Sequence, residues 1–211
     1  MTDRGERMVA EQLRSAGIRD ERVLRAMAEL PREEFVPAEL GAVAYVDRPL
    51  LIGGGQTISQ PYVVAAITQA LQPRFTDTAL EIGAGSGYQA ALLGRLTHRV
   101  MGIELVPELA RAAAAALVRV GILNVEIREG DGTSGWPEEA PYDCVVVSAA
   151  ASRVPEALLQ QLAEGGRLVI PLETGQPDRQ DLMLYAKIGG KLSSRVLIPV
   201  RFVPLLGRGS G

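Results

Sequence analysis

Apolar residues recur along this chain with two spacings, and the change between them divides it. Near the start the spacing is helical: residues 4–16 put Met8, Val9, Leu13 and Ala16 on one face, and Gly17 ends that helix. Asp20 then caps a second helix, with Val23, Leu24, Met27 and Leu30 inward and Pro31 at its end. Residues 31–37 and 45–61 show little periodicity. From Asp77 the pattern is regular: strand 77–82, helix 87–96, strand 99–104, helix 106–120, strand 124–132, strand 142–150, helix 154–162 and strand 167–172. Gly121 and the pair Gly165-Gly166 read as helix stops. Strands separated by helices predict parallel pairing through right-handed crossovers. Beyond residue 172 two alternating runs flank Gly189-Gly190, which predicts an antiparallel hairpin. The expected fold class is α/β, a Rossmann-like doubly wound sheet, mostly parallel, with N-terminal helices and an antiparallel C-terminal hairpin.

The pattern centres on TALEIGAGSGYQAALL, residues 78–93. A strand there breaks into Gly83-Ala84-Gly85-Ser86-Gly87 and restarts as a helix. Such a turn exposes backbone N–H groups at a helix start and lets a ligand lie against the main chain. As a dinucleotide fingerprint it has Tyr88 where a third glycine belongs, which disfavours NAD. Glu104 ends the next strand, placed to accept both ribose hydroxyls of an adenosine. Asp131-Gly132 ends the third strand, where a carboxylate could accept from an adenine amino group. Each signal has a plainer alternative: a structural glycine turn, a solvated acid, a common turn dipeptide. Jointly, on one edge of a parallel sheet, they favour an adenosine-containing cofactor.

The segment 45–61 is long for a loop within a compact domain and carries Gly53-Gly54-Gly55, Thr57 and Ser59 before Pro61. Pro61 fits the first turn of a helix, so Thr57 and Ser59 either cap that helix or serve a site at its start.

Composition narrows the chemistry. The 211 residues suit one domain, and a net charge of −3 with pI about 5.4 gives no bulk case for nucleic acid or anionic membrane. No apolar stretch approaches the roughly 20 residues of a membrane span, and the charged start MTDRGERMVAEQ reads without a signal-peptide core. A cytoplasmic location is expected. One cysteine (Cys144) and one histidine (His98) exclude an internal disulfide and cysteine- or histidine-rich metal sites, so no metal is expected. Cys144 reads as a buried small hydrophobe, His98 as surface, and Trp136 as a lid, a rim contact or packing.

With these residues in view, Glu-Ile-Gly-x-Gly-x-Gly resembles the first motif of S-adenosylmethionine-dependent methyltransferases. The blocks DRPLLIG, GQTISQP, LEIGAGSGYQAALL, GDGTSGWPEEAPYD, LAEGGRLVIP and PVRFVPL, in this order, resemble the protein-L-isoaspartate (D-aspartate) O-methyltransferase family over nearly the whole chain. The resemblance implies a methyltransferase sheet with a C-terminal segment over the active site. It implies methyl transfer from S-adenosyl-L-methionine to the α-carboxylate of L-isoaspartyl residues in damaged proteins and peptides, with S-adenosyl-L-homocysteine as product. The ester then closes to a succinimide whose hydrolysis restores part of the aspartate.

On the same grounds Ser59 is expected as the catalytic hydroxyl. Gln56, Thr57, Ile58, Ser59, Gly83, Gly85, Gly87, Glu104, Leu105, Asp131 and Gly132 are expected at the cofactor, and Thr57, Ser59, Val203 and Pro204 at the substrate. A single domain is expected: residues 1–60 as N-terminal helices and substrate loop, 61–172 as cofactor core, 173–206 as hairpin and covering segment, 207–211 as a disordered tail. It is expected to work as a monomer on isoaspartyl proteins, without nucleic acid or membrane. One departure is Gly54, where the family pattern suggests an aromatic or histidine; it implies a more flexible loop and a more open pocket.

Overall fold

The computed structural model describes residues 3–176 and 179–207; the expected tail from 208 lies outside the described residues. The chain opens with α1 (Asp3–Met8), which continues as a π-helical turn through Leu13. Helix α2 (Glu21–Glu29) begins at Asp20, whose side chain accepts from the Arg22 N–H as the sequence predicts. Two 3-10 turns, Arg32–Phe35 and Ala38–Val43, carry the chain onward. The stretch expected as an irregular loop instead forms a small hairpin, β1 (Leu50–Gly53) against β2 (Gln56–Ile58). Strands of four and three residues are too short to show alternation, and the glycines at 53–55 form their turn.

Helix α3 (Pro61–Leu71) follows with Pro61 in its first turn. The regular part runs β3 (Thr78–Ile82), α4 (Tyr88–Gly94), β4 (Arg99–Glu104), α5 (Pro107–Arg119), β5 (Val125–Glu129) and β6 (Tyr142–Val147). It ends in α6 (Glu156–Gln160), β7 (Leu162–Glu173), β8 (Gln180–Ile188) and β9 (Lys191–Val200). The seven-stranded sheet has order β5-β4-β3-β6-β7-β8-β9. Pairings among β3 to β7 are parallel, and β8 and β9 add antiparallel. Gly189 and Gly190, both at positive φ, join Ile188 to its partner Lys191 as the predicted two-residue turn.

Helix α6 is shorter than predicted, and Gly165-Gly166 lie within β7 instead of ending a helix. Leu162 already pairs with Tyr142 there, and an irregularity in that register absorbs the residues before Arg167 pairs with Cys144. Sheet pairing overrides the local helical signal.

Alternation along the strands splits the core. Ala79, Val100 and Val146 meet α3 and α4 on one face. Leu80, Ile82, Val145 and Val147 meet α6, Trp136 and Leu205 on the other. Each large side chain buried this way contributes roughly 1.5–3 kcal/mol. The N-terminal helices pack through Met8, Leu13, Val23 and Met27 into a third cluster that includes Tyr88 and Leu92 of α4. The sheet reverses its winding between β3 and β6, where Ser148 donates its N–H to the Ile82 carbonyl at 2.8 Å. Ligands of open α/β sheets bind outside such a reversal, at the carboxyl ends of the strands. Among the described residues no helix is long and apolar enough to cross a membrane.

Candidate active site

A cleft of about 880 Å³ opens at that reversal. Its wall is the glycine turn, but the N–H groups of Gly83, Ala84, Gly85 and Gly87 are already engaged within the protein. The Gly83 and Ala84 N–H groups both donate to the Ile103 carbonyl, at 2.8 and 3.1 Å. The Gly85 N–H donates to Glu104 Oε2 at 2.7 Å. Among the described residues the lining holds no lysine or arginine, and it holds two buried carboxylates, Glu81 and Glu104. A dinucleotide pyrophosphate would find no cation in this lining and two carboxylates against it. A cationic adenosine derivative fits.

Glu104 is fixed from both sides, since its Oε1 accepts the Val106 N–H at 2.8 Å. Each oxygen keeps further acceptor capacity toward the cleft. The loop after β4 adds Leu105, and the loop after β5 adds Gly132, whose Cβ position would fall 2.5 Å from Ile82 Cγ2. Asp131 stands beside these but outside the lining residues. One of its carboxylate oxygens accepts from the Thr133 N–H and hydroxyl, at 2.9 and 2.7 Å, and so starts the next 3-10 turn.

Glu81 enters the sequence reading only as the acid of the Glu-Ile-Gly motif, without a site role, although one acid inside an otherwise apolar parallel strand is itself a signal. Ser148 Oγ donates to its Oε1 at 2.8 Å, while Oε2 is buried without a partner. Burial, followed by the nearby Glu104, pushes its carboxyl up to about 8 against the Ser148 hydrogen bond. A raised carboxyl favours folding below the unfolded value of 4.5, and that contribution is lost as pH climbs through about 8. Glu81→Gln removes the titration. The melting-temperature advantage of this variant over the parent is expected to grow from pH 5 to pH 9, measured without cofactor; a constant difference would contradict the assignment.

Ser59 does not cap α3. Gln60 occupies the cap position with no side-chain bond, and the Ser59 hydroxyl makes no hydrogen bond within the described residues. Ser59 instead lines the first cleft together with Gln56, Thr57 and Ile58, and it also lines a second cavity of about 850 Å³. The two cavities share four residues: Thr57, Ser59, Ser148 and Val203. The C-terminal segment roofs the junction, held where Ala150 donates to the Val203 carbonyl at 2.8 Å and accepts the Leu205 N–H at 2.6 Å. Pro204 lines the first cleft beside Val203. The Gly54 Cα stands at the hairpin tip, where a Cβ would lie 3.5 Å from Val106 Cγ1.

Gly83 and Gly85 line the first cleft, and Gly87 does not. Gly87 starts α4 at φ +84, and a Cβ there would come within 3.0 Å of Ala113 on α5. The close helix packing expected of a third fingerprint glycine is thus done one position earlier. Tyr88 obstructs nothing, because its ring turns inward and packs edge-on against Phe35 with centroids 5.3 Å apart. Trp136 is packing, 6% exposed under Arg128. Cys144 is buried, its thiol pushed up to about 12 by burial and by Asp77 and Asp143, and His98 is exposed. Among the described residues no group of three metal-ligating side chains occurs.

Known proteins carry the same pattern. The model of the family described as Protein-L-isoaspartate(D-aspartate) O-methyltransferase matches residues 4–210. A protein-L-isoaspartate O-methyltransferase of Methanoculleus marisnigri is 51% identical over 203 residues, 96% of this chain and 91% of the relative. One from Methylorubrum populi is 53% identical over 213 residues, 100% of this chain and 99% of the relative. Among solved structures, a protein-L-isoaspartate O-methyltransferase superposes with a TM-score of 0.86 at 31% identity, covering 98% of this chain and 67% of its own. A Plasmodium falciparum structure described as a protein of this kind in complex with S-adenosyl-L-homocysteine superposes at 0.82 with 27% identity, covering 96% and 98%.

Proposed function

This chain belongs to the protein-L-isoaspartate (D-aspartate) O-methyltransferase family, and on that premise we propose how its two cavities divide the reaction. The enzyme is an S-adenosylmethionine-dependent methyltransferase that acts on isoaspartyl residues in protein repair. The observation that carries our division is the shared wall: the cleft of buried carboxylates and the second cavity meet at Ser59. The first cleft holds the cofactor, with Glu104 accepting from the ribose and Gly83, Gly85, Leu105 and Gly132 against the adenosine. The second holds the isoaspartyl segment, between β9 with its continuation and the start of α3.

S-adenosylmethionine, when bound, supplies an activated methyl group. The substrate α-carboxylate, with a pKa near 4, is ionised at pH 7 in all but roughly one molecule in a thousand. It therefore needs no general base, and the described residues shared by the two cavities include no carboxylate or imidazole. Ser59 Oγ–H donates to that carboxylate and orients one oxygen toward the cofactor cleft, without giving up its proton. Val203 and Pro204 exclude the water that would solvate the carboxylate. A positively charged cofactor in the cleft would favour the ionised form of Glu81, whose Oε2 is buried without a partner among the described residues. We extend the reading to a single methyltransferase domain working as a monomer in the cytoplasm. One seven-stranded sheet carrying both cavities supports the single domain, and a free, buried Cys144 fits the location.

Phe202 lines only the second cavity. Phe202→Ala is therefore expected to raise KM for an isoaspartyl peptide roughly tenfold, with S-adenosylhomocysteine affinity unmoved. Weaker cofactor binding with unchanged KM would reverse the assignment of the cavities.

A further inference from the structure

Arg32 is the largest fully buried side chain among the described residues, 0% exposed, and none of their carboxylates forms an ion pair with it. A guanidinium without a paired anion in such a place is costly to desolvate, so its contacts indicate what the cost secures. Its Nε donates to the Ala44 carbonyl at 2.7 Å and its Nη2 to the Ser59 carbonyl at 2.6 Å. The guanidinium carbon lies 4.7 Å from the centre of the Tyr88 ring, on the first residue of α4 after the glycine turn. The Arg32 backbone N–H donates to the Tyr45 hydroxyl at 3.2 Å, and that hydroxyl donates in turn to Glu33.

The corner that Arg32 grips is held at its other end as well. Asp47 Oδ1 accepts the Tyr62 N–H at 2.9 Å, where α3 begins. A cation and an anion from the N-terminal segment thus fix the main chain on both sides of Gln60. This leaves the Ser59 side chain as the free group of a clamped backbone, in the lining of both cavities.

We propose that Arg32 is a positioning residue for methyl transfer, aiming the Ser59 hydroxyl by holding the Ser59 carbonyl and registering it against α4 through Tyr88. The proposal rests on the role given to Ser59 above. Arg32 lines neither cavity, so it acts through the groups it holds: the Ser59 carbonyl, at the junction, and the Tyr88 ring, which lines the first cleft. Lysine at this position would keep the charge but has one nitrogen and no planar fork, so it cannot span Ala44 and Ser59 and also stack on Tyr88.

The test is a double-mutant cycle of Arg32→Lys with Ser59→Ala, read as kcat on an isoaspartyl peptide and as S-adenosylhomocysteine affinity. Misplacement of a reacting group by an ångström costs about 100-fold, and a loosened corner is expected to lower kcat about 30-fold with cofactor affinity nearly constant. In the Ser59→Ala background the same substitution is expected to lower kcat by less than about 3-fold, because the group it aims is gone. Equal losses in both backgrounds, or no loss of kcat in the first, would overturn the proposal and leave Arg32 a structural residue. Ser59→Ala with unchanged turnover would instead overturn the role of Ser59, a separable outcome. Should Arg32→Lys not fold, Tyr45→Phe loosens the same arginine from its backbone side. It is expected to lower kcat a few-fold in the parent and not in Ser59→Ala, and a loss persisting in both would overturn the proposal.

Discussion

Glu104→Ala is expected to weaken S-adenosylhomocysteine binding about 100-fold or more. The carboxylate offers the ribose two charge-assisted hydrogen bonds, each contributing about 1.5–3 kcal/mol. Its removal acts twice, because Glu104 also accepts the N–H groups of Gly85 and Val106. Two amides beside the cleft would lose their acceptor, at about 1–3 kcal/mol each where they stay dry. The melting temperature is therefore expected to fall by several degrees along with the affinity. Glu104→Gln separates the effects, since it keeps the side chain's volume and one acceptor oxygen, and should lie between the parent and the alanine variant on both scales. Calorimetric titration with S-adenosylhomocysteine decides the matter. Unchanged affinity in the alanine variant would remove Glu104 from the ribose.

Ser59→Ala is expected to do the opposite, lowering kcat about 100-fold, the usual loss for one donor aimed at a reacting oxygen. Cofactor affinity should stay within about 3-fold of the parent. The structure gives the reason for the separation. What fixes residue 59 is its carbonyl, gripped by Arg32, and alanine retains that carbonyl. The substitution thus removes a hydroxyl without moving the hairpin or the start of α3. Lost cofactor binding in a folded variant would show that Ser59 belongs to the first cleft alone.

The two expectations differ because one residue is held by its side chain and the other by its main chain, and this difference also governs what could be read in advance. The parallel core was legible, because β3, β4 and β6 are mostly apolar runs and β5 alternates, each ended by a turn signal. The cofactor edge was legible for the same reason: glycines, Glu104 and the Asp131-Gly132 turn all fall at strand ends. Its electrostatics were not. Whether the N–H groups of Gly83 and Gly85 face a ligand or a neighbouring strand depends on β4, a partner distant in sequence. Glu81 passed as part of an apolar strand, and its burial is a property of the helices laid over it. The β1–β2 hairpin was too short for any period, and the EALLQ run of α6 read longer because the pairing of Leu162 with Tyr142 is non-local. Arg32 sits in PREEFVP, a segment with no periodicity, where an arginine reads as surface until Ala44, Ser59 and Tyr88 close around it. Gly54 reads as a departure from the family pattern, and the structure sets it over Val106 at the edge of the cofactor cleft, outside the second cavity.

The most direct measurement follows label from S-adenosylmethionine onto two peptides that differ only in L-isoaspartate or L-aspartate at one position, with the parent enzyme and Ser59→Ala side by side. The account predicts base-labile label on the isoaspartyl peptide alone, formed more slowly by the variant with the same preference. Equal label on both peptides, or label on neither from protein that binds S-adenosylhomocysteine, would contradict it.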